Sequence, residues 1–281
     1  ILNKNLTQGD QIIELENNVK HYVNSKFCIA VSNCSDGLDL VIKSLNLNSK
    51  DCILTSPITF VSTAAAAFHN NLNLILTDIN LNTACLDPNK IIEKLKLNKN
   101  IKVVIYVHFG GYASQIKKLF EYCNKNKIFL LEDSAHALGA RYITGEKVGS
   151  CKYSHASVFS LHPVKTIAAG EGGLINTNDE KLYRKLLRLR SHGINKNDDK
   201  FFNNKDSQET YIAKPWYYEM LTLGRHCRIT DIQCSLAISQ LKKIEKFLIK
   251  RKKIAEYYDN HLSNIKKLKI LQYKKRDKSS N

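Results

Sequence analysis

Seven short apolar runs, separated by helix-length stretches, constrain this chain more than any other feature. The runs fall at residues 28–32, 53–55, 74–78, 103–107, 128–132, 156–160 and 174–177. Between several of them, apolar residues recur at helical spacing, as at Ile12, Leu15, Val19, Tyr22 and Val23 in the stretch 11–23. The same reading gives helices at 36–45, 61–69 and 116–126, a basic helix capped by Asp179 and ending at 190, and one long helix over 232–262. Strands separated by helices cannot pair as hairpins. They predict an α/β fold with a mainly parallel sheet covered on both faces. The polar stretch 195–208 reads as a mobile loop.

Open sheets of this kind bind ligands beyond the carboxyl ends of their strands, so the polar residues at those ends carry the functional argument. The run 156–160 ends at Ser160, His162 and Pro163, and Lys165 follows just beyond. A single lysine among 43 Lys plus Arg is ordinarily a solvated surface residue. The company of Ser160, His162 and the Gly-rich turn at 170–173 sets this one apart. Asn33, Cys34, Ser35, Asp36 and Gly37 join a strand to a helix start. They serve equally as a plain N-cap or as a phosphate cradle of backbone N–H groups and the Ser35 hydroxyl. Phe60, after Ser56, Pro57, Ile58 and Thr59, is either core or a platform for a flat ring. The run 128–132 leads into Asp133 and His136. A carboxylate there needs a cationic partner, either an arginine such as Arg141 or a protonated pyridine nitrogen. An aspartate at one strand end and a lysine beyond a later strand form the pattern of pyridoxal phosphate enzymes: the lysine makes the Schiff base and the aspartate keeps the ring an electron sink.

Composition narrows the alternatives. The formal net charge of +17 admits nucleic acid as a partner. The lysines, however, are interleaved with Asn and Ile along the whole chain, thickening only at 242–275, and no nucleic-acid-binding signature accompanies them. The eight cysteines form no C-x-x-C pair and read as buried reduced thiols of a cytoplasmic protein. No apolar run is long enough to span a membrane, and no signal peptide is expected. The chain opens at Ile1 in mid-pattern and stops in a Lys/Ser run, so a piece trimmed at both ends is expected.

The motifs, taken in order, resemble the DegT/DnrJ/EryC1/StrS family of sugar aminotransferases over essentially the whole chain. They are residues 7–9, 33–36, 57–60, 132–140, 160–165, 170–173, 190–194 and 228–233. A narrower likeness, to the transaminases of pseudaminic acid synthesis, rests on 160–165, 215–220 and 277–281. The resemblance implies a fold type I (aspartate aminotransferase-like) transferase with a mixed, mainly parallel seven-stranded sheet. It implies a large cofactor-binding domain over 1–235, with a linking helix and the truncated start of a small C-terminal α/β domain over 236–281. It implies pyridoxal 5'-phosphate as cofactor, a homodimer with active sites at the subunit interface, glutamate as amino donor and a UDP-linked 4-keto-6-deoxy-N-acetylhexosamine as acceptor. Another nucleotide-linked keto sugar, or a non-catalytic member of the family, are the alternatives.

Carried over position by position, the resemblance makes Lys165 the Schiff-base lysine and proton shuttle. Asp133 binds the pyridine nitrogen, His136 lies by the ring hydroxyl and Phe60 stacks on the ring. Cys34, through its backbone, with Ser35 and Ser160, holds the phosphate. Lys4, Asn5, Leu6 and Thr7 meet the nucleotide sugar. The chain departs from the family at His226, where an Asn usually reaches the neighbouring subunit's cofactor phosphate. A histidine donates one hydrogen bond and, when protonated, attracts phosphate. It departs again at Cys34, bulkier than the usual Gly or Ala, and in ending before most of the small domain. No metal is expected.

Overall fold

A computed structural model describes residues 5–195 and 216–271. The expected loop at 195–208 lies, apart from Asn195, outside the described residues, as do Lys4, Pro215 and 277–281. All seven expected strands form, each with its bounds within about two residues of the apolar run. They are β1 (Phe27–Val31), β2 (Cys52–Thr55), β3 (Asn73–Leu76), β4 (Ile101–Val107), β5 (Phe129–Asp133), β6 (Ala156–Ser160) and β7 (Gly173–Thr177). They make one sheet in the order β1-β7-β6-β5-β4-β2-β3. β7 pairs antiparallel with both β1 and β6, and the other pairings are parallel.

The helices are α1 (Asp10–Val23), α2 (Cys34–Ser44), α3 (Val61–His69), α4 (Pro88–Leu97), α5 (Lys117–Lys125), α6 (Glu180–Arg190), α7 (Asp231–Leu241) and α8 (Ile244–Leu262). The pleat of the strands distributes them over two cores. Cys28, Ala30, Leu54, Val104, Leu130, Phe159 and Leu174 face one side and pack with the buried faces of α1, α4, α5 and α7. Ile29, Val31, Ile53, Val103, Leu131, Val158 and Ile175 face the other and pack with α2, α3 and α6. Strands buried on both faces read as mostly apolar runs instead of alternating, as most of these do; the edge strand β3 is the half-exposed exception.

Three features differ from the sequence reading. The helix α4 is an addition, with Asp87 capping the Asn89 N–H and Pro88 in the first turn. A two-stranded ribbon, β8 (Ile194–Asn195) and β9 (Glu219–Met220), is another. The expected long helix over 232–262 is broken: α7 stops at Leu241, and Lys243, with φ −110° and ψ 3°, starts α8. The apolar spacing of Ile238, Leu241 and Ile244, all buried, runs straight through the break, so the pattern carries no sign of it.

The start of α7 is tied back to the N-terminal helix α1. Thr230 and Gln233 form a reciprocal capping box, an arrangement whose cap contributes about 1 kcal/mol. Buried Asp231 accepts the N–H groups of Gly9 and Gln11 at 2.9 and 3.1 Å and so ties α1 to α7. A Cβ at Gly9 would stand 2.7 Å from that carboxylate, which is why the turn carries glycine. No helix of the described residues is long and apolar enough to cross a membrane.

Candidate active site

The chain returns repeatedly to one edge of the sheet, where β1, β2, β4, β5 and β6 end and the antiparallel β7 begins. A cavity of about 730 Å³ opens there. Cys34, Ser35, Phe60, Asp133, His136, Ser160 and Lys165 all line it, brought together from four separate segments of the chain.

One end of the cavity is the N-terminus of α2. Asn33 caps it by accepting the Asp36 N–H at 2.8 Å, and Asp36 in turn takes hydrogen bonds from Ser32 and from the Asn33 amide. The capping contacts engage Asp36 and Gly37. The N–H groups of the first turn have no intrahelical acceptors, so this end attracts an anion. β7 fixes the turn from below. A Cβ at Gly173 would meet the Asn33 carbonyl carbon and oxygen at 2.5 Å and the Cys34 nitrogen at 2.8 Å. Burial, with Asp133 nearby, holds the Cys34 thiol well above its usual range, so it is a neutral lining group.

At the floor lies Asp133, 5% exposed. Arg141, one of its two candidate partners, bonds instead to the Gly145 carbonyl in the turn it belongs to. Asp133 Oδ2 accepts from the Thr63 hydroxyl at 2.7 Å, and Oδ1 from the Ala135 N–H at 3.2 Å. A carboxylate only accepts, so Thr63 donates to Asp133 and must take its own hydrogen bond from Thr59, 2.7 Å away. His136 is held neutral: burial and then the Lys165 charge depress its pKa, against a smaller opposing pull from Asp133.

Lys165 sits on the loop after β6. Its N–H closes a turn on the His162 carbonyl at 2.9 Å, and Arg251 of α8 donates to the carbonyls of Val164 and Lys165 at 3.2 and 2.9 Å. Phe60, at the N-terminus of α3, is 71% exposed at the cavity mouth. That exposure rules out the core alternative for this side chain.

Other expected site residues are not brought to the cavity. His226 forms a β-bridge with Ser191, and its ring lies 5.3 Å from that of His192. Thr7 bridges to Thr230, the Leu6 carbonyl accepts the Asp231 N–H, and Asn5 lies beside Gly9. Thr59 and Glu171 lie within motifs singled out in the sequence but were given no role there, and Thr63 and His108 were missed. The spacing of Thr59 and Thr63 at the start of a helix was the one local sign; the others depend on contacts between distant segments. All eight cysteines are free, and seven of them are buried, as read from the sequence; Cys34 is half-buried at the cavity.

The cavity thus offers an anion-binding helix end with two serine hydroxyls, an aromatic face, a buried carboxylate and a lysine. That set fits pyridoxal 5'-phosphate: a phosphate at α2, the ring nitrogen at Asp133 and the aldehyde at Lys165.

Comparison with known proteins agrees. The model of the DegT/DnrJ/EryC1/StrS aminotransferase family matches residues 1–281. A UDP-4-amino-4,6-dideoxy-N-acetyl-beta-L-altrosamine transaminase of Campylobacter jejuni is 34% identical over 274 residues, which is 96% of this chain and 67% of that protein. The spore coat polysaccharide biosynthesis protein SpsC of Bacillus subtilis is 31% identical over 260 residues, 92% of this chain and 64% of SpsC. The solved structure of Helicobacter pylori PseC, an aminotransferase involved in pseudaminic acid biosynthesis, superposes with a TM-score of 0.82 at 29% identity, covering 94% of this chain and 66% of that one. The chain spans about two thirds of the length of these relatives.

Proposed function

We propose, from the premise that the chain belongs to the DegT/DnrJ/EryC1/StrS aminotransferase family, that it is a pyridoxal phosphate-dependent nucleotide-sugar transaminase. In this reading it moves an amino group from glutamate to the C4 keto group of a UDP-linked 4-keto-6-deoxy-N-acetylhexosamine. The product is UDP-4-amino-4,6-dideoxy-N-acetyl-beta-L-altrosamine. The observation that carries the proposal is the convergence of Asp133, Lys165 and the N-terminus of α2 on one cavity. The choice of sugar rests on the names of the relatives.

When bound, the cofactor supplies an aldehyde that condenses with amines and a ring that accepts electrons from the reacting carbon. The protein does the rest. Lys165 Nζ would anchor the cofactor aldehyde and, as a free amine, would take the proton from the α-carbon of the amino donor. Asp133 holds the ring-nitrogen proton, with its carboxylate aimed by Thr63 and Ala135. The α2 N-terminus, Ser35 and Ser160 hold the phosphate, and Cys34 contributes its backbone N–H. Neutral His136 would sit by the ring hydroxyl, and Phe60, exposed at the mouth, would stack on the ring.

The reading includes a homodimer in the cytoplasm. Large apolar side chains at Phe60, Val61, Trp216, Leu223 and Ile232 are exposed, which supports a partner subunit covering some of them. Across that interface His226 is assigned to the partner's cofactor phosphate. Lys4, Asn5, Leu6 and Thr7 are assigned to the nucleotide sugar. Residues 1–235 are kept as the cofactor-binding domain and 236–281 as the start of a smaller one.

The test is to incubate the protein with pyridoxal phosphate, glutamate and the UDP-linked 4-keto sugar, following 2-oxoglutarate enzymatically and the sugar by mass spectrometry. Equal amounts of amino sugar and 2-oxoglutarate are expected. Stoichiometric 2-oxoglutarate without amino sugar would reject this acceptor. Neither product would reject the activity.

A further inference from the structure

Glu132 and Asp133 are neighbours at the end of β5, and the pleat sends them to opposite faces of the sheet. Asp133 faces the cavity. Glu132, 1% exposed, is buried on the other side. Its Oε1 accepts from the Tyr142 hydroxyl, while Oε2 makes no hydrogen bond to the described residues. A buried carboxylate in such a place requires a counter-charge.

The basic group beside it is His108, itself fully buried just after β4. Its Nε2 lies 3.4 Å from Glu132 Oε1. Its Nδ1 lies 3.2 Å from the Tyr112 carbonyl oxygen. A carbonyl only accepts, so Nδ1 carries a hydrogen. Were the ring neutral, Nε2, which makes no hydrogen bond to the described residues, would then hold a lone pair 3.4 Å from the Glu132 oxygen in a dry interior. A proton on Nε2 converts that repulsion into an ion pair.

The other titratable groups facing the pair are Tyr106 on β4, Tyr142, and Cys151 on the Glu132 side. Burial holds all three well above their usual ranges. They are neutral and leave His108 as the compensating group.

His108 also touches the other carboxylate's residue. Its main-chain N–H donates to the Asp133 carbonyl at 3.0 Å, continuing the register that pairs Val107 with Asp133. It lines the cavity as well. One residue thus joins the two neighbours, through its ring to Glu132 and through its backbone to Asp133.

We propose that His108 is a positioning residue of this site: its imidazolium compensates the buried charge of Glu132 and thereby holds in place the strand end that carries Asp133. The effect through Asp133 rests on the cofactor reading above; the charge compensation does not.

The test is a mutant cycle in the complete chain: H108Q, E132Q and H108Q/E132Q, each measured for apoprotein Tm and for the Kd of pyridoxal phosphate. H108Q leaves the carboxylate buried and unpaired and is expected to lower Tm by about 10 °C. Cofactor affinity is expected to fall about tenfold with it. E132Q removes the charge that needed compensation, so the double variant is expected to recover about half or more of both losses. If His108 acts by packing alone, the second substitution adds to the damage of the first. Additive losses, or a double variant that fails to fold, would overturn the proposal. A Tm cycle that shows rescue while no variant and no wild-type protein binds the cofactor would reject the cofactor reading and leave the charge compensation standing.

Discussion

Replacing Thr63 by valine probes the site through a residue that does not itself touch the reacting atoms. The side chains are nearly isosteric, so the change removes the hydroxyl and little else. That hydroxyl donates to Asp133 Oδ2 at 2.7 Å, with Thr63 fully buried and Asp133 nearly so. Hydrogen bonds to charged groups contribute about 1.5–3 kcal/mol, and water cannot easily replace one in a closed site. In T63V the carboxylate keeps only the 3.2 Å bond from the Ala135 N–H. It is then freer to turn away from the ring nitrogen. The loss corresponds to about 10- to 150-fold weaker cofactor binding. Titration of the apoprotein with pyridoxal phosphate, read by fluorescence quenching, measures it. T63S retains the hydroxyl and should bind within about threefold of wild type. A T63V protein that is folded and binds the cofactor within about twofold of wild type would refute the assignment of Asp133 as the ring-nitrogen partner aimed by Thr63.

Further outcomes follow from the same geometry. G173A forces a Cβ to within 2.5 Å of backbone atoms of Asn33, where no flexible side-chain end can yield. It should destabilise the fold by about 1–3 kcal/mol in urea unfolding and weaken cofactor phosphate binding more than tenfold by displacing the start of α2. Acid should destabilise the apoprotein. Burial depresses the pKa of His136 and of His155, which accepts the Leu130 N–H. At these two positions the unfolded chain binds more protons, so their contribution to stability is lost as pH falls below about 6.5, the ordinary histidine value, against an opposite contribution from the charged His108 proposed above. The urea midpoint should drop between pH 7.5 and 5.5, and H155Q should flatten part of that drop; a midpoint that rises on acidification contradicts the assignment of neutral histidines.

The sheet was legible because every strand but the edge strand β3 is largely buried on both faces and so reads as a short apolar run. Asp133 and Lys165 were legible for a related reason: they are polar residues placed where such runs end. Helix α4 was passed over because only Ile91 and Leu95 are buried in it. Its start was nonetheless marked by Asp87 and Pro88, the residues that cap and open a helix. The break between α7 and α8 left no trace, since the apolar spacing continues across Lys242 and Lys243. Thr63 and His108 belong to a third kind. Thr63 meets Asp133 across 70 residues of sequence, and His108 meets Glu132 across the pairing of β4 with β5. Neither contact has a local signature, because sheet topology creates both.

The decisive measurement is the absorbance spectrum of the protein with pyridoxal phosphate, before and after glutamate. A visible Schiff-base band should form on adding cofactor, convert to the pyridoxamine spectrum with glutamate, and be absent from K165A. A folded wild-type protein that forms no such band, or a K165A variant that forms the same one, would contradict the proposed role of Lys165.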